Sequence, residues 1–387
     1  MTLPEDVQSE ALSWIGKEIR MTQYNTEASR DNIRHFALGT GDMNPLWVDY
    51  SYGRRSRYGT NIAPPLFLVS ICDAVITPGL PDMAGLRIRT DWTFYAPTRL
   101  GDQLQATGVV DDVKITQGKR GDDRIIQTGL TRYFRVDACA SRALVAEVRS
   151  TDLRISPRAE GSGTLKIPVR SEHQYTAEEL RAIRDDVLAV QPRGGEPRYW
   201  EDVEVGDAIG TVVKGPYTSM SMHCYYAGAA GSAYYVAHDV WWRYRWLAEH
   251  EPDALPTNGL SPEYFMGTGM TSLGHHDRSV AESIGMPGAY DNGNQRTAMV
   301  QHLLTNWCGD DGMLRNLAVD ISRPVILGDT LWITGKVTGK KMEGAGNNSE
   351  VMSRALVQGT VEVRNQLSDL VSTGDWTVQL PTRFGNV

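Results

Sequence analysis

Two hydrophobic periods alternate along this chain, and the alternation happens twice. Runs with apolar residues at every second position, the mark of half-buried strands, stand at RIRTDWTFYA from Arg87, DQLQATGVVDDV from Asp102, RIIQTGLTRYFRV from Arg124 and ALVAEVRSTDLRI from Ala143. A second set comprises NLAVDISRPV from Asn316, DTLWITGKVTG from Asp329, SRALVQGTVEVR from Ser353 and STGDWTVQL from Ser372. Glycine-rich breaks such as GKRGDD and EGAGNN separate the runs as hairpin turns do. Each set is preceded by two helix-like segments, 28–40 and 64–77 in the first, 217–232 and 292–308 in the second. PPLFLVSICDAVI, which opens the 64–77 segment, is apolar almost all round, which predicts burial on every side. Its Pro64-Pro65 start suits a first helical turn that needs no N–H donor.

The two sets are copies of one plan. GDQLQATGVV from Gly101 and GDTLWITGKV from Gly328 share Gly, Asp, Leu, Thr, Gly and Val in step, and FYAPTRL and ISRPVIL precede them at the same offset. Upstream, WVDYSYGRRSRYG from Trp47 aligns with HHDRSVAESIG from His275, pairing Asp49 with Asp277; FALGTG before Asp42 resembles YAGAAG before Ser232. The second copy therefore carries an insert, 234–274, with the aromatic run VWWRYRWL, expected as a lid or a packing element. SPRAEGSG, the helix-like TAEELRAIRDDVLAV and PRGGEP separate the copies, which predicts units at 1–157 and 199–387 with a linker at 158–198. Each unit is expected to wrap an antiparallel sheet round its buried helix, an α+β arrangement.

Composition narrows the function classes. A net charge of −8 and a pI near 5.6 argue against nucleic acid or an anionic membrane as partner, since either attracts a basic surface. No apolar run reaches membrane-span length, and MTLPEDVQSEALSW lacks a signal peptide's basic start and apolar block, so a cytoplasmic location is expected. Cys72, Cys139, Cys224 and Cys308 are scattered without ligand-like spacing, and no metal site is expected.

The motifs carry a resemblance. Asp42, Asn44, Pro45, Leu46 and Asp49, followed by Tyr58-Gly59 and Ile62 to Pro65, resemble the hydratase motif of the MaoC-like, R-specific enoyl-thioester hydratase and FAS1-like dehydratase family. His275, Asp277, Ala281, Gly285 and Gly293 resemble its downstream part in the second copy. The resemblance implies a double hot-dog, two antiparallel sheets each wrapped round a buried helix. It also implies an enzyme that adds water to, or removes it from, an enoyl or 3-hydroxyacyl thioester. No cofactor is implied; coenzyme A enters as part of the substrate. A homodimer is allowed.

In that family a carboxylate and a histidine five residues apart hold the water, and backbone N–H groups at a helix start hold the charge on the thioester oxygen. The two copies divide these parts. The first keeps Asp42 and puts Trp47 where the histidine belongs; the second keeps His275 with Met270 five residues earlier. Catalysis is therefore expected in the second copy, with His275 as acid/base, Asp291 as its carboxylate and Gly293 at the oxyanion position. Asp277, Tyr290, Arg296, Asp42, Asn44 and Trp47 are candidates to line the substrate site. Capping competes for Asp277, Asp42 and Asn44, and an internal ion pair with Asp291 competes for Arg296. Other thioester chemistry, hydrolysis or another β-elimination, and a non-catalytic acyl-binding role remain open alternatives.

Overall fold

A computed structural model describes residues 3–19, 21, 23–74, 80, 83–117, 123–155, 167, 170–229, 245, 249–250, 274–283, 285–344 and 354–383. The expected lid, 234–274, lies almost wholly outside them. The helices are α1 (Glu5–Ser13), α2 (Arg30–Thr40), α3 (Pro45–Val48), α4 (Tyr50–Arg55), α5 (Ala177–Ala189), α6 (Ser219–Ala229), α7 (Arg278–Ser283) and α8 (Gly293–Cys308). The strands are β1 (Glu18–Ile19), β2 (Ala84–Phe94), β3 (Gln103–Gln117), β4 (Asp123–Val136), β5 (Arg142–Ile155), β6 (Ala208–Lys214), β7 (Met313–Ile321), β8 (Leu331–Glu343), β9 (Arg354–Asn365) and β10 (Leu370–Gln379).

All these strands join one antiparallel sheet in the order β1-β3-β4-β5-β2-β7-β10-β9-β8-β6. The order is a mirror about the β2–β7 seam, so each copy builds one half by the same plan. The expected pair of separate sheets is thereby corrected to a single sheet. Each half would otherwise end in an open edge at β2 or β7, and unpaired edges seek partners. Arg89 pairs with Asp320, Trp92 with Leu317 and Thr93 with Asn316 along the seam, and Asn316 Nδ2 donates to Thr93 Oγ1 at 2.9 Å.

The repeated turn has a local cause. Gly101 and Gly328 sit at φ of 91° and 88°, a left-handed conformation that suits glycine. The aspartate after each accepts the N–H three residues back, Asp102 from Arg99 at 2.7 Å and Asp329 from Ile326 at 3.0 Å. In the 158–198 segment, Arg170 reaches across to hold both oxygens of Asp329 at 2.6 and 2.5 Å.

The central helices differ between halves. The segment expected as a helix over 64–77 forms a short 3₁₀ turn, Pro65–Ser70, with Phe67 N–H donating to the Pro64 carbonyl and Ile71 N–H to that of Leu68. Both bonds span three residues rather than four, the tighter pattern that short helical pieces adopt. Its burial is as expected, with Leu66, Phe67 and Ile71 wholly inaccessible. In the other half α8 is buried from Asn294 to Cys308, although Gln295, Arg296, Gln301, His302 and Asn306 lie along it. Helices α2 and α6 cross closely: a Cβ on Gly39 would stand 2.6 Å from the Cys224 carbonyl oxygen, and one on Gly228 would collide with that of His35.

Candidate active site

The head of α8 gathers the ionisable groups of the second copy. His275 Nδ1 lies 2.7 Å from the Tyr290 carbonyl oxygen. A carbonyl only accepts, so Nδ1 carries the proton and Nε2 presents a lone pair. The ring packs against that of Tyr290, centroids 4.4 Å apart, with Tyr226 of α6 beyond it at 6.1 Å. Burial pushes the imidazole down to about 4, opposed by the Tyr290 carbonyl and aided by His276, so the ring is neutral at pH 7. Tyr226 accepts from Asn292 Nδ2 at 3.1 Å, and Asn292 Oδ1 caps the helix by accepting Asn294 N–H at 2.9 Å.

Asp291 does not face His275 as a free carboxylate. Arg296 holds both its oxygens, Nε to Oδ2 at 2.6 Å and Nη2 to Oδ1, and Val325 N–H donates to Oδ1 at 3.3 Å. Arg296 in turn donates to the Arg323 carbonyl at 2.7 Å and to Ser372 Oγ at 3.1 Å. Both oxygens of Asp291, expected as the water-holding carboxylate, are thus taken up in a buried ion pair with Arg296. Asp277 is likewise an N-cap: Oδ1 accepts from Ser279 N at 2.7 Å and Val280 N at 3.2 Å at the start of α7. Its twin Asp49 does the same for α4, accepting from Ser51 N and Tyr52 N. These bonds occupy one oxygen, Oδ1, of each carboxylate.

The carboxylate that the fold does bring to the head of α8 is Asp73, which follows the 3₁₀ turn of the first half. Asn294 Nδ2 donates to it at 2.6 Å. Burial pushes Asp73 up to about 6, against the pull of Arg87 and of the Asn294 hydrogen bond. Arg87 completes the cluster, donating to Asp152 at 3.0 Å and to Asn294 Oδ1 at 3.2 Å. Its side chain also fills the space beside Gly293, where a Cβ would stand 2.8 Å from Arg87 Cγ. Asp73 was not singled out in the sequence because it sits in an apolar run; a lone carboxylate amid PLFLVSICDAVI was the available signal.

Asp42, Asn44 and Trp47 join a different place. Asn44 caps α3 through Leu46 N–H at 2.9 Å, and Asp42 is buried against α8, accepting from Gln301 Nε2 at 3.2 Å. Gln301 Oε1 accepts Leu66 N–H at 2.9 Å, so one side chain closes off both the motif carboxylate and the start of the 3₁₀ turn. Trp47 is buried and lines a cavity of about 50 Å³ between the halves with Asn44, Tyr58, Phe94 and Thr305. Among the described residues no cluster of His, Cys, Asp and Glu could hold a metal ion, and no helix is long and apolar enough to cross a membrane.

The family description "FAS1-like, dehydratase domain region" matches residues 13–135. A UPF0336 protein of Streptomyces griseus is 31% identical over 123 residues, which cover 27% of this chain and 82% of that protein. A solved MaoC-like dehydratase superposes with a TM-score of 0.60 at 16% identity, over 95% of this chain and 99% of that one. A Mycobacterium tuberculosis protein described as a double hotdog fold superposes at 0.52 and 12% identity, over 95% and 96%. The chain belongs to the MaoC-like, FAS1-like dehydratase family of double hot-dog proteins. A 3-hydroxybutyryl-CoA dehydratase of Methylorubrum extorquens is 33% identical over 89 residues, 23% of this chain; the match spans 57% of that relative's length. The structural likeness covers 95% of this chain and therefore extends over both halves.

Proposed function

We propose that this protein is a hydro-lyase that adds water to an enoyl thioester, or removes it from a 3-hydroxyacyl thioester, with coenzyme A as the thiol. The observation that carries the reading is that one buried helix, α8, has at its head a neutral histidine held by the Tyr290 carbonyl and a buried carboxyl group, Asp73, bonded to Asn294, whose affinity for protons is raised. His275 offers the Nε2 lone pair and Asp73 a group that titrates near working pH, the division of labour that addition of water across a double bond requires. The dehydratase names of the matched family region and of the Methylorubrum relative support the same reaction class.

His275 Nε2 takes the proton of the attacking water as its oxygen bonds to the β-carbon, and the acid side delivers a proton to the α-carbon. Charge on the thioester oxygen is met by the positive end of α8, beginning at Gly293. Tyr290 positions the base, and the Asp291–Arg296 pair fixes Tyr290 in turn. Incubation with crotonyl-CoA and 3-hydroxybutyryl-CoA, followed by loss or gain of enoyl-thioester absorbance, tests the reaction; His275→Ala and Asp73→Asn test the site. Turnover lowered roughly tenfold or more by each is expected, and turnover indifferent to His275→Ala removes that residue from the mechanism.

A further inference from the structure

The two halves also meet in a buried polar cluster that the centre at the head of α8 does not use. His302, midway along α8, faces Asp42 from the other half, with Nε2 3.6 Å from Oδ1. Asp42 further accepts from Asn44 N–H at 3.4 Å and from Gln301 Nε2 at 3.2 Å. Lys214 Nζ donates at 2.9 Å to the carbonyls of Thr40 and Gly41 just before it, and its charge acts on both Asp42 and His302.

What this cluster lacks is a partner for its outward atoms. Nδ1 of His302 has no hydrogen-bond partner although only 8% of the residue is exposed. One turn on, neither side-chain atom of Asn306 has one, at the same exposure. Buried polar atoms in native proteins are paired as a rule, so bare ones on one stretch of helix mark a place that a ligand completes. The cavity between the halves adjoins it through Asn44, whose N–H bonds Asp42, and Thr305, whose hydroxyl donates to the His302 carbonyl at 3.3 Å.

The geometry points to a second acid/base centre, assembled by His302 of one half and Asp42 of the other, acting on an acyl thioester that enters this cavity. It rests on the thioester reading above. With Asp42 Oδ1 3.6 Å from Nε2, the tautomer that carries its proton on Nε2 is the one its charge favours, and it leaves Nδ1 a lone pair, the orienting role carboxylates play for catalytic histidines. In the dehydrating direction Nδ1 takes an α-proton and the C–H electron pair becomes the C=C bond. The C–O pair departs with the β-oxygen, which recovers the proton from Nδ1 and leaves as water; hydration is the reverse. Asp42 is a positioning residue that offsets the imidazolium formed midway. The slot five residues after Asp42 can hold Trp47, a cavity wall, because the base arrives from α8 instead.

The test uses the full chain. His302→Gln and Asp42→Asn are placed in the His275→Ala background, with thermal melting to verify folding. The residual hydration rate of His275→Ala on crotonyl-CoA is expected to fall by roughly 10² on His302→Gln, with KM little changed. Asp42→Asn is expected to lower it as well and to move the acid limb of its pH–rate profile to lower pH. A His275→Ala protein with no residual turnover, or a residual rate untouched by His302→Gln, overturns the second centre and leaves the first standing. If the wild type turns over neither crotonyl-CoA nor 3-hydroxybutyryl-CoA, the thioester reading fails separately. Nitrogen NMR of His302 then decides: an Nε2–H tautomer whose Nδ1 resonance moves on saturation with crotonyl-CoA supports the site, and an unmoved resonance overturns it. The same spectrum decides the matter if His302→Gln does not fold.

Discussion

Arg296 holds both carboxylate oxygens of Asp291 from one turn along α8, with side-chain exposures of only 1% and 3%. A pair this buried is a clamp. It ties the start of α8 to the Val325 amide and, through further guanidinium bonds, to Arg323 and Ser372. Removing one partner strands the other charge, which typically costs about 3–5 kcal/mol. Asp291→Ala is therefore expected to lower the unfolding free energy by about that much in urea titration. If stability were unchanged while turnover collapsed, Asp291 would be a chemical rather than a structural group.

Protonation gives opposite slopes at two neighbouring sites. His302, like His275, is pushed down to about 4 by burial, with Asp42 opposing and Lys214 assisting. Its folded value lies below the unfolded one, so between about 6.5 and 4 the unfolded chain binds more protons. The stability owed to neutral His302 is whole above pH 6.5 and is lost as pH falls toward 4; His302→Gln should flatten that part of the stability curve. Asp73 runs the other way. Its folded value of about 6 exceeds the unfolded one, so its contribution is whole below the unfolded pKa and is lost as pH rises through 6. Asp73→Asn should remove that loss, as read from unfolding at pH 4 and pH 7.

Helix α2 approaches α6 across Gly39, where a Cβ would stand 2.6 Å from a backbone oxygen that cannot swing aside. Gly39→Ala should destabilise the fold by about 1–3 kcal/mol through overpacking. Gly59 has nothing within 4 Å of an added Cβ but sits at φ 67°, so Gly59→Ala tests backbone strain alone. Melting temperatures and near-UV dichroism of the two variants separate the causes: Gly39→Ala should push α2 and α6 apart and alter the near-UV spectrum, whereas Gly59→Ala should leave that spectrum intact.

Local chemistry made much of this fold legible and long-range pairing hid the rest. Gly101 and Gly328 announced the repeat because a left-handed turn demands the same residue twice, and the mirrored strand order follows from it. The seam was not legible: nothing in RIRTDWTFYA says that its free edge will meet NLAVDISRPV rather than solvent, because β-pairing between distant segments leaves no local periodicity. The site divides similarly. His275 was found by position in the repeat, but Asp291 already had Arg296 five residues on, and that pair took the carboxylate out of play. Asp73 and His302 escaped notice because each was read as part of a central helix. A polar residue on a helix that the repeat requires to be buried was the signal available for both.

Along the β2–β7 seam, burial and charge make separable contributions. Trp92 of β2 is wholly inaccessible and stacks between Phe94 and Tyr133, ring centroids 5.5 and 5.7 Å away. Arg89, three residues earlier, bonds Asp320 of β7 at 2.7 Å, with side-chain exposures of 37% and 47%. Water screens such an exposed pair, whose usual worth is about 0–1 kcal/mol. Truncating a buried tryptophan usually costs about 3–5 kcal/mol. Trp92→Ala should thus destabilise both halves together in a single cooperative transition, while Arg89→Ala should barely move the urea midpoint. Two resolved transitions in Trp92→Ala would show instead that the halves fold independently and that the seam contributes little to their cooperation.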